Sequence, residues 1–313
     1  MGKRSVAIQM DPIGSIKPQS DSTLLLGLEA QKRGYDLYYY TPDKLTWRDG
    51  KITAAAHRIT LHADQAHYYD LGEPLTLDLK TVNVVLLRQD PPFNMPYIST
   101  TYMLEELAPK TLVVNHPSSV RNHAEKLFPA SFHQFMPPTL VSADIGEISR
   151  FRKEHKDVVI KPLYGFGGHS VFRIGPDDQN FNALMEMIFS GNAEPWVVQP
   201  FLPEVKTGER RIILIDGKFG GIFARLPAEG DIRSNLRVGG TPSKAELTAK
   251  QHEICEALEP VLRKEGIIFA GIDVIGDWLT EINITSPTGL AAMYRLYGKK
   301  LEVSIWDAIE ARL

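Results

Sequence analysis

The 313-residue chain contains a single cysteine, Cys255, which excludes an intrachain disulfide scaffold and any metal site built from several thiolates. No GxGxxG occupies the loop after the first predicted strand, so a dinucleotide site is not expected there. No apolar run is long enough to span a membrane, and the opening MGKRSVAIQMDP has no signal-peptide cleavage pattern, so the cytoplasm is the expected location. Basic excess is missing too: 35 Lys and Arg stand against 38 Asp and Glu, and a formal charge of −3 gives no electrostatic case for nucleic acid. Internal repeats and low-complexity segments are absent. What is present is 43% hydrophobic and 23% charged residues, the composition of an ordinary globular protein, in a length that suggests two or three domains.

Residues 5–10, SVAIQM, predict a core strand. DPIGSIKPQSDS follows as a loop, with Asp21 or Ser22 placed to cap an apolar-periodic helix over 23–33. Gly34 ends that helix and DLYYYT opens the next strand, a β-loop-α-β beginning that predicts an α/β domain. YYDLGEPLTL reads as irregular or as an edge hairpin. TVNVVLLR predicts a strand over 81–88 that empties into RQDPPFN. Arg88 and Asp90 therefore stand at the usual ligand-binding end of an open sheet, and Asp11 and Lys17 hold a comparable place after the first strand. Substrate contact and ordinary loop capping are both open to these four. A helix is expected over 99–108, a strand at TLVVN, and a further helix opening in HPSSVRNHAEKLF with Ser118 or Ser119 as its cap. Lys126, among apolar neighbours, reads as a snorkelling lysine. The prolines of PASFHQFMPPTLV then mark a boundary.

In VVIKPLYGFGGHSVFRI a strand ends at Lys161-Pro162, a glycine-rich turn follows, and a second strand is expected from Ser170. This is strand-turn-strand, whereas a P-loop needs a strand-to-helix turn with GxxxxGK[ST]. Gly165, Gly167 and Gly168 let the backbone approach a ligand and their N–H groups can hold phosphate oxygens; a mobile turn with no ligand is the alternative. After a helix over 178–189, residues 196–199 predict a strand, and 199–202 can present backbone groups to a flat base. GERRIILIDGKFGGIFARLP reads as a hairpin turned at Asp216-Gly217. Glu209 and Arg211 share one face and Arg225 ends the returning strand, which suggests a phosphate or adenosine site or else plain surface charge. Residues 227–244 are long, glycine-rich and nearly free of apolar anchors, and a compact domain seldom keeps such a loop without function or disorder. Arg233, Asn235, Gly239 and Gly240 are placed to close over a reacting centre. An amphipathic helix over 246–265 carries Cys255 as a packing group, since nothing identifies a base to activate it.

The stretch IIFAGIDVIGDWLTEINITSPTG, 267–289, reads as a hairpin with polar groups on strands that should be apolar. Glu281 and Asn283, two apart, share one face. A three-residue loop of Gly276, Asp277 and Trp278 sets Asp273 opposite Glu281, whereas a two-residue turn would leave the two carboxylates on opposite faces. The first choice gathers two carboxylates and an amide oxygen, a hard donor set that suits Mg2+. A solvated sheet face is the bland alternative.

The series KPxxGxGGxS, QxFLP, the ERR hairpin, the arginine-rich loop and DVIGDxLTEINxTSPTG resembles the ATP-grasp ligases. DPI at 11–13, DST at 21–23, LEAQKRGY at 28–35, RQDPPF at 88–93, EKLF at 125–128 and DAIEARL at 307–313 extend the likeness, more narrowly, to the prokaryotic glutathione synthetases over the full chain. The resemblance implies an α/β and α+β protein: an ATP-grasp fold behind a Rossmann-like pre-ATP-grasp domain. It divides the chain into residues 1–122, a small lid domain over 123–204, and a C-terminal domain over 205–313 that holds the metal-binding hairpin and the covering loop. It further implies ATP with Mg2+, or Mn2+ as an alternative, and γ-glutamylcysteine and glycine as substrates in a homo-oligomer, a tetramer or a dimer. Lys126 and Lys161 would meet phosphates, with the loop Gly165, Gly167, Gly168, His169 and Ser170 above them. Glu209 would take the ribose, and Gln199, Phe201 and Leu202 the adenine. Arg211, Arg225 and Asn235 would stabilise the acyl phosphate and the tetrahedral centre. Asp273, Glu281 and Asn283 would hold the metal, and Ser286, Thr288 and Gly289 the glycine carboxylate. Phe166, His169 and the TPSK after Gly240 depart from the expected pattern.

Overall fold

Strands buried on both faces need layers on both sides, and the apolar runs near the start of the chain have that character. The computed structural model describes residues 4–191 and 193–313. In it β1 (Ser5–Gln9), β2 (Asp36–Tyr40), β3 (Leu45–Arg48), β4 (Lys51–Leu61), β5 (Tyr69–Asp78), β6 (Val84–Leu87) and β7 (Leu112–Val114) form one seven-stranded sheet. The core order β2-β1-β6-β7 is parallel, the Rossmann-like arrangement expected, and β3, β4 and β5 extend it antiparallel. Helix α1 (Ser22–Lys32) is capped by Asp21, whose Oδ1 accepts from the Leu24 N–H at 2.6 Å. Helix α2 (Met95–Glu105) begins before the expected 99, because Asn94 caps it. Ser118 and Ser119 do not cap α3 (Pro117–Asn122): the cap position is His116, and the Ser119 hydroxyl instead donates to the Glu265 carbonyl at 2.6 Å.

The second sheet has the order β10-β9-β11-β8, from β8 (Leu140–Ser142), β9 (Val158–Pro162), β10 (Phe172–Ile174) and β11 (Trp196–Pro200). Val158, Ile160 and Val198 bury one face under α4 (Ile145–His155) and α5 (Phe181–Phe189), and the alternate residues Val159, Lys161 and Gln199 line a cleft on the other face. Strand β10 starts two residues later than expected, because Ser170 sits at φ +56, a left-handed conformation that takes it out of the ladder.

The third sheet, β14-β13-β12-β15-β16, comprises β12 (Glu209–Ile215), β13 (Lys218–Leu226), β14 (Thr241–Lys244), β15 (Phe269–Ile275) and β16 (Trp278–Asn283). Ile212, Ile272, Val274 and Ile282 pack on one face against Ile254, Leu258 and Leu262 of α6 (Ala249–Lys264), together with Phe128, Phe132 and Phe135. Cys255 lies in this layer, where burial pushes its thiol up to about 12, so it is inert packing. On the opposite face Ile213, Phe223 and Phe269 join α7 (Leu290–Tyr297), α8 (Leu301–Glu310) and the first sheet in a shared core. Asn115 ties these layers together: its Oδ1 accepts from Ile268 and Phe269 N–H, both at 2.9 Å, and its Nδ2 donates to the Phe269 and Ile284 carbonyls at 2.7 and 2.9 Å.

Two corrections concern the loops of this sheet. The turn between β15 and β16 is the two-residue Gly276-Asp277, since Ile275 pairs with Trp278; the three-residue loop is not formed. Asp273 nevertheless faces Glu281, because Thr280 bulges out of the ladder after the Val274–Leu279 pair and restores the alternation. The stretch 227–244 is also not loop throughout. Its TPSK end is β14, paired with β13, and the irregular part stops at Gly240.

Candidate active site

The face of the third sheet opposite α6 changes character along its length. Where α7 and α8 cover it, it is apolar; beyond them the same face presents Glu209, Arg211, Arg225, Asp273 and Glu281. The strand register sets these charges side by side, Glu209 opposite Arg225, Arg211 opposite Asp273, and Asp273 opposite Glu281. Arg211 grips Asp273 with two donors, Nε to Oδ1 at 2.5 Å and Nη2 to Oδ2 at 2.8 Å. Arg225 Nη2 lies 2.9 Å from Asp273 Oδ2 and 2.6 Å from Glu209 Oε2. Gly271 makes room for this grid, since a Cβ there would lie 3.1 Å from Arg211 Cδ.

Across the cleft, Lys161 Nζ on β9 donates to Glu281 Oε1 at 3.1 Å. Lys126 Nζ donates to Glu125 Oε1 at 2.9 Å and to the Gly165 carbonyl, with Glu281 Oε1 4.0 Å away. Lys126 is therefore buried in a charge cluster, and the snorkelling reading is set aside. Burial alone would raise the Glu281 carboxyl, but Lys161 and Lys126 overcome it and hold the group well below the carboxylate range. The glycine loop runs above these lysines. Gly167 and Gly168 adopt φ of +68° and +80°, and a side chain at Gly165 would strike the Pro162 ring.

Residues 227–240 close the cleft from the other side. The Ser234 hydroxyl meets Glu209, and Arg233 Nη1 reaches the Gly168 carbonyl at 3.4 Å while its other donors hold Asp231. Arg237 pairs with Asp90 in the loop that follows β6, which docks residues 227–240 against the first domain. Asn235 accepts from the Arg237 N–H at 3.0 Å, so its side chain shapes the turn. Gly240 lies against the Ser234 carbonyl, where no Cβ fits, and Gly239 takes φ +103; both serve the path of the backbone.

The cleft, about 1010 Å3 counted with its open mouth, is lined by Lys126, Lys161, Gly165, Gly167, Gly168, His169, Gln199, Phe201, Leu202, Glu209, Arg211, Arg225, Arg233, Asn235, Glu281 and Asn283. Other expected residues lie apart from it. Asp273 is 1% exposed behind the arginines, and Ser170 is off the lining. Phe201 does line the cleft, but its N–H is already bonded to the Asp157 carbonyl at 2.9 Å. Arg88 is buried and donates to Thr23 Oγ1 at 3.0 Å and the Pro287 carbonyl at 2.8 Å, so it holds the 286–289 loop. The Ser286 hydroxyl returns a bond to the Arg88 carbonyl, and Gly289, at φ +119, begins α7. Thr288 and Lys17 are exposed, and Asp11 accepts from the Asp90 N–H at 2.7 Å. Sequence reasoning singled out neither Glu125 nor Ser234 nor Thr280, all in the lining; Glu125 stood beside Lys126 in EKLF, and Thr280 had no signal before its bulge was seen.

The donor set suits a hard cation in part. Glu281 and Asn283 face the cleft, and Asn283, which donates through Nδ2 to Asp273 at 3.1 Å, turns its amide oxygen the other way. Asp273 is engaged by guanidinium groups. Arg225 Nε is buried with no partner among the described residues, a donor left for an anionic ligand.

Glu125 makes this cluster sensitive to pH. Burial raises its carboxyl, Lys126 lowers it, Glu281 raises it again, and it settles at about 7 against an ordinary 4.5. A carboxyl raised on folding stabilises the fold below 4.5, and that contribution is lost as pH rises through about 7. Glu125→Gln is therefore expected to be more stable than the parent at pH 8, by roughly 2 kcal/mol after screening at the cleft mouth, and equal to it at pH 4.5. Urea unfolding in Mg2+-free buffer at both pH values measures this; an equal difference at the two would contradict it.

Comparison with known proteins accords with this geometry. The model of the prokaryotic glutathione synthetase N-terminal domain matches residues 5–121, and that of the prokaryotic glutathione synthetase ATP-grasp domain matches residues 125–298. The glutathione synthetase of Rhodopseudomonas palustris is 52% identical over 307 residues, covering 98% of each chain. That of Bradyrhizobium diazoefficiens is 51% identical over 310 residues, with 99% of each covered, and that of Yersinia pestis 39% over 311, with 98% of each covered. Among solved structures, D-cycloserine synthetase DcsG aligns with a TM-score of 0.69 at 14% identity, covering 99% of this chain and 100% of that one. The ATP-grasp ligase PsnB, complexed with a phosphomimetic variant of its minimal precursor, Mg and ADP, aligns at 0.64 and 16% identity, covering 99% of each. Identities this low speak for the fold alone, while the full-length relatives speak for more: the chain belongs to the prokaryotic glutathione synthetase family of ATP-grasp ligases.

Proposed function

We propose that the chain joins the cysteinyl carboxylate of γ-L-glutamyl-L-cysteine to the amine of glycine, giving glutathione, ADP and phosphate. The observation that carries this reading is one cleft that gathers Lys126, Lys161, Arg211, Arg225, Glu281 and Asn283 under a glycine loop, in a chain with full-length relatives of that activity. In the first step a carboxylate oxygen of the dipeptide attacks the γ-phosphorus, and the bond to the β-phosphate oxygen breaks to release ADP. The glycine amine then attacks the acyl phosphate carbonyl, loses a proton, and phosphate leaves. Both steps build negative charge on oxygen, which fixed cations in a closed site stabilise without reorganising. Lys126 and Lys161 serve the ATP phosphates, Glu209 the ribose, and the 199–202 segment the adenine. Arg211, Arg225 and Asn235 serve the acyl phosphate and tetrahedral centre. Asp11, Lys17, Arg88 and Asp90 form the dipeptide side, with Arg233, Gly239 and Gly240 in the cover, and Ser286, Thr288 and Gly289 form the glycine side. Mg2+, or Mn2+ in its place, supplies neutralisation of phosphate oxygens when bound, and Asp273, Glu281 and Asn283 would hold it. The loops 165–170 and 227–240, already touching through Arg233 and Gly168, exclude the water that would hydrolyse an acyl phosphate.

The three sheets support domains over 1–122, 123–204 and 205–313, and the packing of Phe128, Phe132 and Phe135 on the third sheet makes the start of the middle segment a strap between its neighbours. A homo-oligomer in the cytoplasm completes the reading; no helix among the described residues is long and apolar enough to cross a membrane. Incubation with ATP, Mg2+, γ-glutamylcysteine and glycine, scored for ADP and tripeptide by mass, tests it. Turnover with a different carboxylate-amine pair, and none with this one, would overturn it.

A further inference from the structure

The turn from β4 to β5 carries a cluster that ligation does not use. His62 Nε2 lies 2.7 Å from Asp70 Oδ2, and His67 Nε2 lies 3.0 Å from Asp70 Oδ1. The two imidazole rings stack with centroids 5.3 Å apart and planes at 25°. One ligand atom from each of the three residues lies within 4.8 Å of the others. The hairpin fixes this convergence: Thr60 pairs with Asp70, Leu61 with Tyr69, and the His62 N–H donates to the Tyr68 carbonyl at 2.9 Å. The base of the turn is anchored, because the Tyr68 hydroxyl donates to the Ile13 carbonyl at 2.9 Å. Its tip stands at the surface, with His67 and Asp70 exposed.

We propose that His62, His67 and Asp70 form a site for a divalent transition metal of the zinc class, separate from the ligation cleft. Two imidazole nitrogens and one carboxylate oxygen are a borderline donor set that favours Zn2+ over Mg2+, and a fourth position stays open to water. Zinc–ligand bonds of about 2.0–2.2 Å in a tetrahedron set ligand atoms about 3.3 Å apart. The observed separations, 2.7 Å from His62 to Oδ2 and 3.0 Å from His67 to Oδ1, open by about 0.6 and 0.3 Å to reach that spacing, and the carboxylate turns so that a single oxygen serves both rings. Exposed side chains make such shifts at little cost. An ion there ties the tip of the turn to β5 and stiffens a hairpin that leans, through Tyr68, on the segment following Asp11.

The test uses metal-stripped full-length protein in excess Mg2+, which fills hard oxygen sites, dialysed to equilibrium against micromolar Zn2+. The parent is expected to take up one Zn2+ per chain. His62→Ala, His67→Ala and Asp70→Asn should each weaken uptake by about tenfold or more. Co2+ used as a probe should give tetrahedral visible absorption bands in the parent that the variants lose. Circular dichroism reports whether each variant is folded, and ligase turnover should be unchanged, as these side chains lie outside the cleft. Equal Zn2+ uptake by parent and folded variants, or none by the parent, would overturn the assignment.

Discussion

Arg211→Ala is expected to lower kcat by about a thousandfold and to cost about 3 kcal/mol of stability, two losses with separable causes. Arg211 and Arg225 are the cations that hold Asp273, which is 1% exposed. Removing the two-donor grip leaves a buried carboxylate with one guanidinium, close to Glu209 and Glu281, and an uncompensated buried charge is among the most destabilising defects a fold can carry. Arg211→Lys keeps the charge but loses the planar fork, so stability should recover in part and turnover little. The double variant Arg211→Ala/Asp273→Asn removes charge from both sides of the pair and should restore much of the urea midpoint while turnover stays low. If turnover recovered with stability, Arg211 would be only the counter-ion of Asp273, and its place at the acyl phosphate would fall.

The register that makes this grid was legible for an incomplete reason. Parity alone puts Glu281 and Asn283 on one face, and in an unbulged hairpin Asp273 reaches that face only if the connection has an odd number of residues. The chain satisfies the same arithmetic with a two-residue turn and a bulged Thr280. No local rule chooses between these solutions, because a threonine inside a strand carries no bulge signature. Strand β4 is obscured in the sequence for a similar cause: its buried positions run Ile52, Ala54, Ala56, then Ile59 and Leu61, and the slip at the bulge breaks the period-two pattern. The β14 strand of TPSK is decided by tertiary pairing with β13, against the low β-propensity of Pro242 and Lys244. The long-range clamps were not legible at all. Asn115 and Arg88 are ordinary polar residues at strand ends, and only the approach of segments more than 150 positions away gives them their partners. Motif spacing, in contrast, pointed to Lys161, the glycine loop and the hairpin charges, because close approach of a backbone to an anion and of charge to charge restricts residue type directly, whereas Lys126 came only with the family resemblance.

Glu281→Gln tests the other wall of the cleft. Glu281 accepts from Lys161 at 3.1 Å, and Lys126 is 4.0 Å away; the lysine side chains are only 12% and 6% exposed. The substitution keeps the shape but removes the charge that both ammonium groups face and one of the oxygen ligands proposed for Mg2+. Turnover at saturating ATP is expected to fall by about a hundredfold or more, and the Mg2+ concentration for half-maximal rate to rise by about tenfold. The acid limb gives an independent readout. A carboxylate held below its ordinary value contributes stability that is fully present above 4.5 and lost as pH falls toward the folded value, so the parent should weaken on acidification below 4.5 by more than the glutamine variant does. Unchanged Mg2+ dependence together with an unchanged acid limb would remove Glu281 from both roles. A changed acid limb with normal Mg2+ dependence would leave it as the partner of Lys161 and Lys126 alone, and the metal would then have to rest on Asn283 and on Asp273, the carboxylate the arginines already hold.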